Sequence, residues 1–313
     1  MKEKSIADRL AEKAGCPELV DILSEKLGLS ELNTVLLEVF RRQAGQISPA
    51  ELLRQFRQNR FVQPSTIDPL ALRKLDLALM QAAGQSGFTP LELSPLSPLG
   101  ACSVTSPTSQ HKVVSALRGT EVSADATNLL ALESVRRRQS ELFPKATLHL
   151  CASHRHVRAQ PPLMKGHTAH FQVFCLTSAG RDTGNGQFEQ EALFRHWDFY
   201  HDFLQQKLGL PLRLHLTDLS ADEREERLLA AIVARLEGRK WPFEVRRLGP
   251  AAQPYYRLLQ AKICIPWGER EVDIADSGFT DWTQRLSGNR KERFLISGMG
   301  SELLCRVMSG GIS

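Results

Sequence analysis

Two runs of alternating apolar residues, ATLHLCAS (146–153) and AHFQVFCLTS (169–178), follow one another with a single loop between them. A hairpin joins antiparallel strands, whereas parallel neighbours require a crossover that is usually a helix. This feature argues against a doubly wound parallel sheet. Further strand-like runs at LRLHLTDL (212–219), AKICIPW, REVDIAD and ERFLISGMG extend the same pattern. Long amphipathic segments separate them: PLALRKLDLALMQAAGQ (69–85), DATNLLALESVRRRQ (125–139), a helix from 188 that ends at Gly209, and 220–238, which opens on a Ser220/Glu223 capping box. The expectation is an α+β fold, a mainly antiparallel sheet flanked by helices.

The chain before this pattern is helical. Ser30 is positioned to cap a helix that ends near Gly45, and Ser48, Pro49 and Glu51 form a second start signal of cap, first-turn proline and capping box. VQPSTIDP (62–69) then has the composition of a linker. The expected organisation is a small helical domain over 1–62 and a sheet domain over 70–313.

The 313 residues carry 40 basic and 35 acidic side chains, so a polyanion contact would be a local patch rather than a property of the whole chain. No apolar run approaches the ~20 residues of a membrane span, and the charged start MKEKSIADRLAEK has no signal core, which predicts a cytoplasmic protein without membrane contact. The six cysteines stand far apart and imply reduced thiols.

The loop itself, HRHVRAQPPLMKGHTAHFQVF (154–174), crowds four histidines, two arginines and a lysine. His154-x-His156 and His167-x-x-His170, even with Cys151 added, match no familiar metal spacing, so no metal is expected there. Arg155 on a rigid strand could clamp a phosphate through its guanidinium fork, or serve a surface salt bridge. Phe171 could stack on a base or fill the core.

Read in order, these pieces resemble the catalytic core of class II aminoacyl-tRNA synthetases, and especially the histidyl branch. The helix ending at Gln85 and SGFTPLELSPLSP, closing on Pro95, are similar to the first motif, which usually builds a dimer interface. LRGTEVSADATNLLALE (117–133) stands where the family holds the substrate amino group, and the resemblance assigns that role to Asp125 and Thr127. HRHVRAQ and KGHTAHFQ are similar to the second motif, F-R-x-E, loop and returning strand. On that register Arg155 is the α-phosphate arginine and Phe171 the adenine-stacking aromatic, with His167 and His170 near the nucleotide. DSGFTDWTQRLSG (276–288) resembles a histidyl-branch strand and turn, and FLISGMGSELL (294–304) resembles the third motif, G-x-G-x-E-R.

The departures matter equally. Val157 takes the second motif's glutamate position and Leu303 the third motif's arginine position, with Arg306 one turn further along. The chain stops where the synthetases continue into an anticodon-binding domain. The resemblance therefore implies a synthetase-like paralog with altered or lost activation chemistry. It would bind ATP weakly, with Mg2+ where ATP is bound, and act if active as an amino-acid-activating ligase toward a tRNA or protein acceptor. A homodimer through residues 71–98, or a heteromeric partner, is the expected assembly. Two alternatives stay open: a non-catalytic regulatory or assembly subunit that keeps the fold, and a basic nucleic-acid-binding protein without a nucleotide site.

Overall fold

The computed structural model describes residues 4–140, 146–160 and 168–310. Four helices open the chain, α1 (Ile6–Lys13), α2 (Leu19–Asp21), α3 (Leu29–Ala44) and α4 (Pro49–Gln58), and α5 (Pro69–Gln85) follows the linker. Short strands β1 (Thr89–Pro90) and β2 (Leu96–Pro98), helix α6 (Ala101–Thr105), and strands β3 (Ser115–Ala116) and β4 (Thr120–Val122) lead to α7 (Ala126–Arg138). The hairpin is β5 (Leu148–Val157) and β6 (His170–Arg181), followed by α8 (Gln187–His201), β7 (Arg213–Leu219), α9 (Glu223–Arg239) and β8 (Phe243–Arg247). The remaining elements are β9 (Arg257–Trp267), β10 (Arg270–Thr280), α10 (Trp282–Ser287), β11 (Glu292–Met299) and α11 (Ser301–Met308).

Eight strands form one sheet in the order β1-β5-β6-β11-β10-β9-β7-β8, and β2-β4-β3 form a small second one. Only the edge pairs β1/β5 and β7/β8 of the large sheet are parallel; every other pair in it is antiparallel. The fold is therefore α+β with a mostly antiparallel sheet, as the hairpin pattern predicts.

Because side chains alternate across a strand, each strand feeds two layers. One face carries the main core, where Leu79 of α5, Leu193 and Trp197 of α8, Ile232 of α9 and Leu304 of α11 pack on Phe174, Leu216, Ile263 and Leu295. Each fully buried leucine contributes about 1.5–3 kcal/mol. The opposite face is covered at one end only: Leu130 of α7 packs on Leu150, Ala152 and Cys175, and Trp282 of α10 on Phe294 and Ile296. Beyond them the sheet presents Lys262, Glu271 and Asp273 to solvent.

Three start signals act differently from their sequence reading. Gly28, not Ser30, precedes the first turn of α3, and the Glu31 carboxylate accepts its N–H at 2.8 Å. Ser48 does cap α4, but the Glu51 carboxylate turns to Arg54 at 2.7 Å and leaves the capping box half made. Asp222, not Ser220, caps α9 by accepting the Glu225 N–H at 2.9 Å. A carboxylate is the stronger acceptor where charge favours the helix N-terminus.

The first helices bury little. Among residues 4–68, Ala11 alone is buried, while Leu10, Phe40, Leu52 and Phe56 are exposed. The chain touches the sheet layer through Asn33, whose side-chain oxygen accepts the Arg118 N–H at 2.9 Å, and through the linker residues Gln63, Ser65 and Thr66. No described helix is long and apolar enough to cross a membrane.

Candidate functional site

The β5/β6 register pairs His154 with Val173, Arg155 with Gln172, His156 with Phe171 and Val157 with His170. Paired residues share a face, and neighbours along a strand do not. Arg155, Val157 and His170 thus lie on the α5/α11 side, and His154, His156 and Phe171 on the α7 side.

On the α11 side Arg155 is held by two partners. Its Nη2 donates to Glu302 Oε2 at 3.0 Å, and its Nη1 meets His170 Nδ1 at 2.8 Å. His170 Nε2 contacts the Gln63 carbonyl oxygen at 2.6 Å. A carbonyl can only accept, so Nε2 carries the ring proton and Nδ1 accepts from the guanidinium. Arg306 also donates to Glu302, at 3.1 Å, and reaches Thr66 at 3.3 Å, while the Ser65 hydroxyl completes the carboxylate at 2.7 Å. Burial pushes the buried Glu302 carboxyl up, but Ser65 and the guanidinium groups of Arg306 and Arg155 outweigh it and hold it below the usual range. Leu303 packs partly buried against the main core. The linker segment thus closes over the two arginines expected to meet phosphates.

The α7 side holds the other half. Asp125 caps α7, accepting the Thr127 N–H at 2.9 Å and the Thr127 hydroxyl at 2.7 Å. The Tyr255 hydroxyl donates to its second oxygen at 3.2 Å, and Arg158 Nη2 stands 3.9 Å away. Burial opposes ionisation of Asp125, but the neighbouring His156 ring, Arg158 and Thr127 hold its carboxyl below the usual range. His156 Nε2 accepts the Ala126 N–H at 2.9 Å, so its proton sits on Nδ1, a buried atom without a partner. Burial lowers the His156 pKa to about 3, and lowers that of His154 as well, so both rings are neutral near pH 7. Phe171 meets His156 edge-on at 5.9 Å, and the Arg158 guanidinium lies over its ring at 5.1 Å.

A second carboxylate, Asp276 on β10, faces the same side and receives the Gln260 amide at 3.4 Å. Burial and the Asp125 charge push it up to about 6, with the Tyr256 hydroxyl opposing. The Tyr256 ring occupies the space a side chain at position 278 would need, which explains Gly278 two residues on. One ionised carboxylate, one that titrates near neutrality, and two tyrosines gather on this face, a set of groups suited to an ammonium ion. A polyphosphate would meet Arg158 and two neutral imidazoles.

Asp125, Thr127 and Phe171 therefore come together, whereas Arg155, His170 and Arg306 gather on the other side of the sheet; His167 lies outside the described residues. His156, Arg158, Tyr255 and Asp276 were missed. Strand parity would have found the first two, since both share Phe171's face once the hairpin register is known. Nothing in the sequence near Tyr255 or Asp276 announces their convergence on Asp125, which the pairing of β9, β10 and β11 creates.

The architecture is that of a class II synthetase-like fold. Similar solved structures include a histidyl-tRNA synthetase of S. aureus, with a TM-score of 0.58 at 11% identity over 80% of this chain and 70% of that one. A histidine–tRNA ligase subunit of Alicyclobacillus acidocaldarius matches with a TM-score of 0.59 at 11% identity, over 80% of this chain and 96% of that chain. A Bacillus halodurans protein described as an ATP phosphoribosyltransferase regulatory subunit/histidyl-tRNA synthetase matches with a TM-score of 0.56 at 12% identity, over 78% and 82% of the two chains. No protein-family model matches the chain, and no curated protein does either.

Proposed function

We propose that this chain is a class II synthetase-like paralog that has lost amino-acid activation and keeps a binding site for a small amine-bearing ligand. One observation carries the reading: Arg155 and Arg306 are both bound to Glu302 on the face opposite Phe171. Activation is a displacement at the α-phosphate and depends on cations placed where charge develops. With the register taken from the hairpin, His154 and His156 occupy the second motif's arginine and glutamate positions, and neutral rings supply no such charge.

The residues present do not fit a tightly held ATP·Mg2+. Phe171 with Arg158 above it suits a purine ring, but Lys262 and Arg213, further cations of that face, are already paired with Asp273 and Glu271. The amine end fits better, because Asp125, positioned by Thr127 and Tyr255, is a fixed acceptor for an ammonium group. A protein that binds such a ligand without activating it has the character of a regulatory or assembly subunit, and the Bacillus halodurans neighbour's description supports this reading. Its partner is then a second protein chain rather than a tRNA acceptor.

Amino-acid-dependent pyrophosphate exchange should be at background for all standard amino acids, while calorimetry should find a free amino acid or related amine whose binding Asp125→Asn removes. Robust exchange with any amino acid would overturn the proposal.

A further inference from the structure

The uncovered end of the sheet, away from the candidate site, brings another set of donors together. A ring nitrogen of His215 on β7, the sulfur of Cys264 on β9 and a carboxylate oxygen of Glu271 on β10 lie within 4.8 Å of one another. Three adjacent strands hold them, so their spacing follows from sheet geometry rather than from chance approach of loops. We infer that His215, Cys264 and Glu271 form a binding site for a thiophilic divalent cation, with Zn2+ the best match to one nitrogen, one sulfur and one oxygen donor.

His215 carries the strongest part of this inference. Glu244 Oε1 lies 2.6 Å from its Nδ1 and Glu271 Oε2 lies 2.9 Å from its Nε2. A neutral imidazole has a single N–H, so only one of these contacts can be a hydrogen bond and the other sets a lone pair against a carboxylate. Either the ring carries a second proton or Nε2 and Glu271 ligate a shared cation from one side. The second arrangement is the carboxylate–histidine–metal relay, in which Glu244 fixes the proton on Nδ1 and aims the Nε2 lone pair.

Cys264 fits the same role. Its thiol donates to Asp273 Oδ1 at 3.0 Å, which aims the sulfur; on forming the metal–thiolate bond the thiol proton leaves to solvent and Asp273 stays ionised beside Lys262. The charge of the cluster agrees: Glu271 and Asp273 pair with Arg213 and Lys262 respectively, while Glu244 makes no ion pair with a lysine or arginine among the described residues. One negative charge is left over, and a divalent ion with a thiolate cancels it. Three protein ligands leave a fourth position open to water or to a ligand on the solvent-facing side.

The test uses the full chain, stripped of metal by chelator and titrated with Zn2+ and with Co2+ as an optical probe. The expected result is one ion per chain, with the charge-transfer absorption of a cobalt–thiolate bond that Cys264→Ser and His215→Ala abolish. Glu244→Gln should weaken Zn2+ about 10–100-fold. Glu271→Gln, at an exposed position, should also remove the site if the buried Cys264 variant fails to fold by circular dichroism. Absence of binding, absence of the thiolate band, or a band that persists in Cys264→Ser and His215→Ala would each overturn the site in favour of a doubly protonated His215 held between its two glutamates.

Discussion

Arg155 and Phe171 sit one register step apart on paired strands of a single hairpin, yet project to opposite faces of the sheet. That relationship divides what the motif order suggests is one site. Arg155 serves a buried carboxylate beneath the linker, and Phe171 lies against His156 and Arg158 on the other face.

Replacing Arg155 should therefore change stability and leave ligand binding alone. Arg155→Ala strips the buried Glu302 of one charge-assisted donor while Arg306 and Ser65 remain, a loss of about 1.5–3 kcal/mol. Urea unfolding should report that loss, and nucleotide affinity measured by calorimetry should stay within twofold. A collapse of nucleotide binding with unchanged stability would place the phosphate clamp back on Arg155.

Arg158 is the cation that faces Phe171, and Arg158→Ala should weaken whatever purine nucleotide the chain binds by roughly ten- to a hundredfold, the worth of one charge-assisted contact. Phe171→Ala should act in the same direction. Equilibrium titration with ATP at millimolar concentration checks both variants, and unaltered affinity in both would remove this face as the nucleotide site.

Stability should fall on acidification, with a sign set by the histidines. Burial keeps His149 and His156 neutral down to about 4 and about 3, whereas an unfolded histidine takes its proton near ~6.5. Between those values the unfolded chain binds more protons, so stability drops as pH falls from ~6.5 toward 4, by about 2–4 kcal/mol per ring. Asp276 works the other way. Its folded value of about 6 lies above the ~3.9 of an unfolded aspartate, so its protonation favours the folded chain as pH falls through that window. Urea midpoints at pH 7, 6 and 5 should show a steeper acid loss in Asp276→Asn than in the parent chain; a shallower one contradicts the assignment.

The segment from residue 71 to 98 offers a surface for a second copy. Leu91 and Leu93 are already packed against the α7 layer, but Leu70, Leu77, Leu96 and Leu99 are exposed at its ends and along α5. Light scattering at micromolar concentration should show a dimer that Leu77→Lys together with Leu96→Lys dissociates. A monomeric parent chain at that concentration would remove this interface.

How far the sequence could be read depends on which physical signal each element carries. Strands β5, β6, β7, β9, β10 and β11 announce themselves because alternation marks a half-buried strand. β8 (Phe243–Arg247) does not, since four of its five residues are exposed and an edge strand needs no apolar face. The hairpin motif itself was legible, but its facing was not: a shift of one residue along β5 exchanges Arg155 and Val157 for His154 and His156, and no composition or spacing tells the two apart. Asp125 and Thr127 were reached through the resemblance of 117–133, and they meet because helix capping is local. Asp276 and Tyr255 come together only through sheet pairing, which a linear reading cannot supply.

Leu303 gives the last test, because the resemblance sets it at the third motif's arginine position. If activation were lost through that substitution alone, Leu303→Arg would restore it. The side chain of Leu303 packs partly buried against the main core, and the nearest charged groups on its helix are Glu302 and Arg306, already joined to each other at 3.1 Å. An arginine there would bring a charge to an apolar contact and compete for Glu302, costing about 1–3 kcal/mol. It would add nothing on the Phe171 face, where His154 and His156 present neutral rings. The expected outcome is a lower urea midpoint with pyrophosphate exchange still at background. Exchange that rises in Leu303→Arg would show that one missing guanidinium silences the site, and the loss traced to the hairpin's facing would no longer stand.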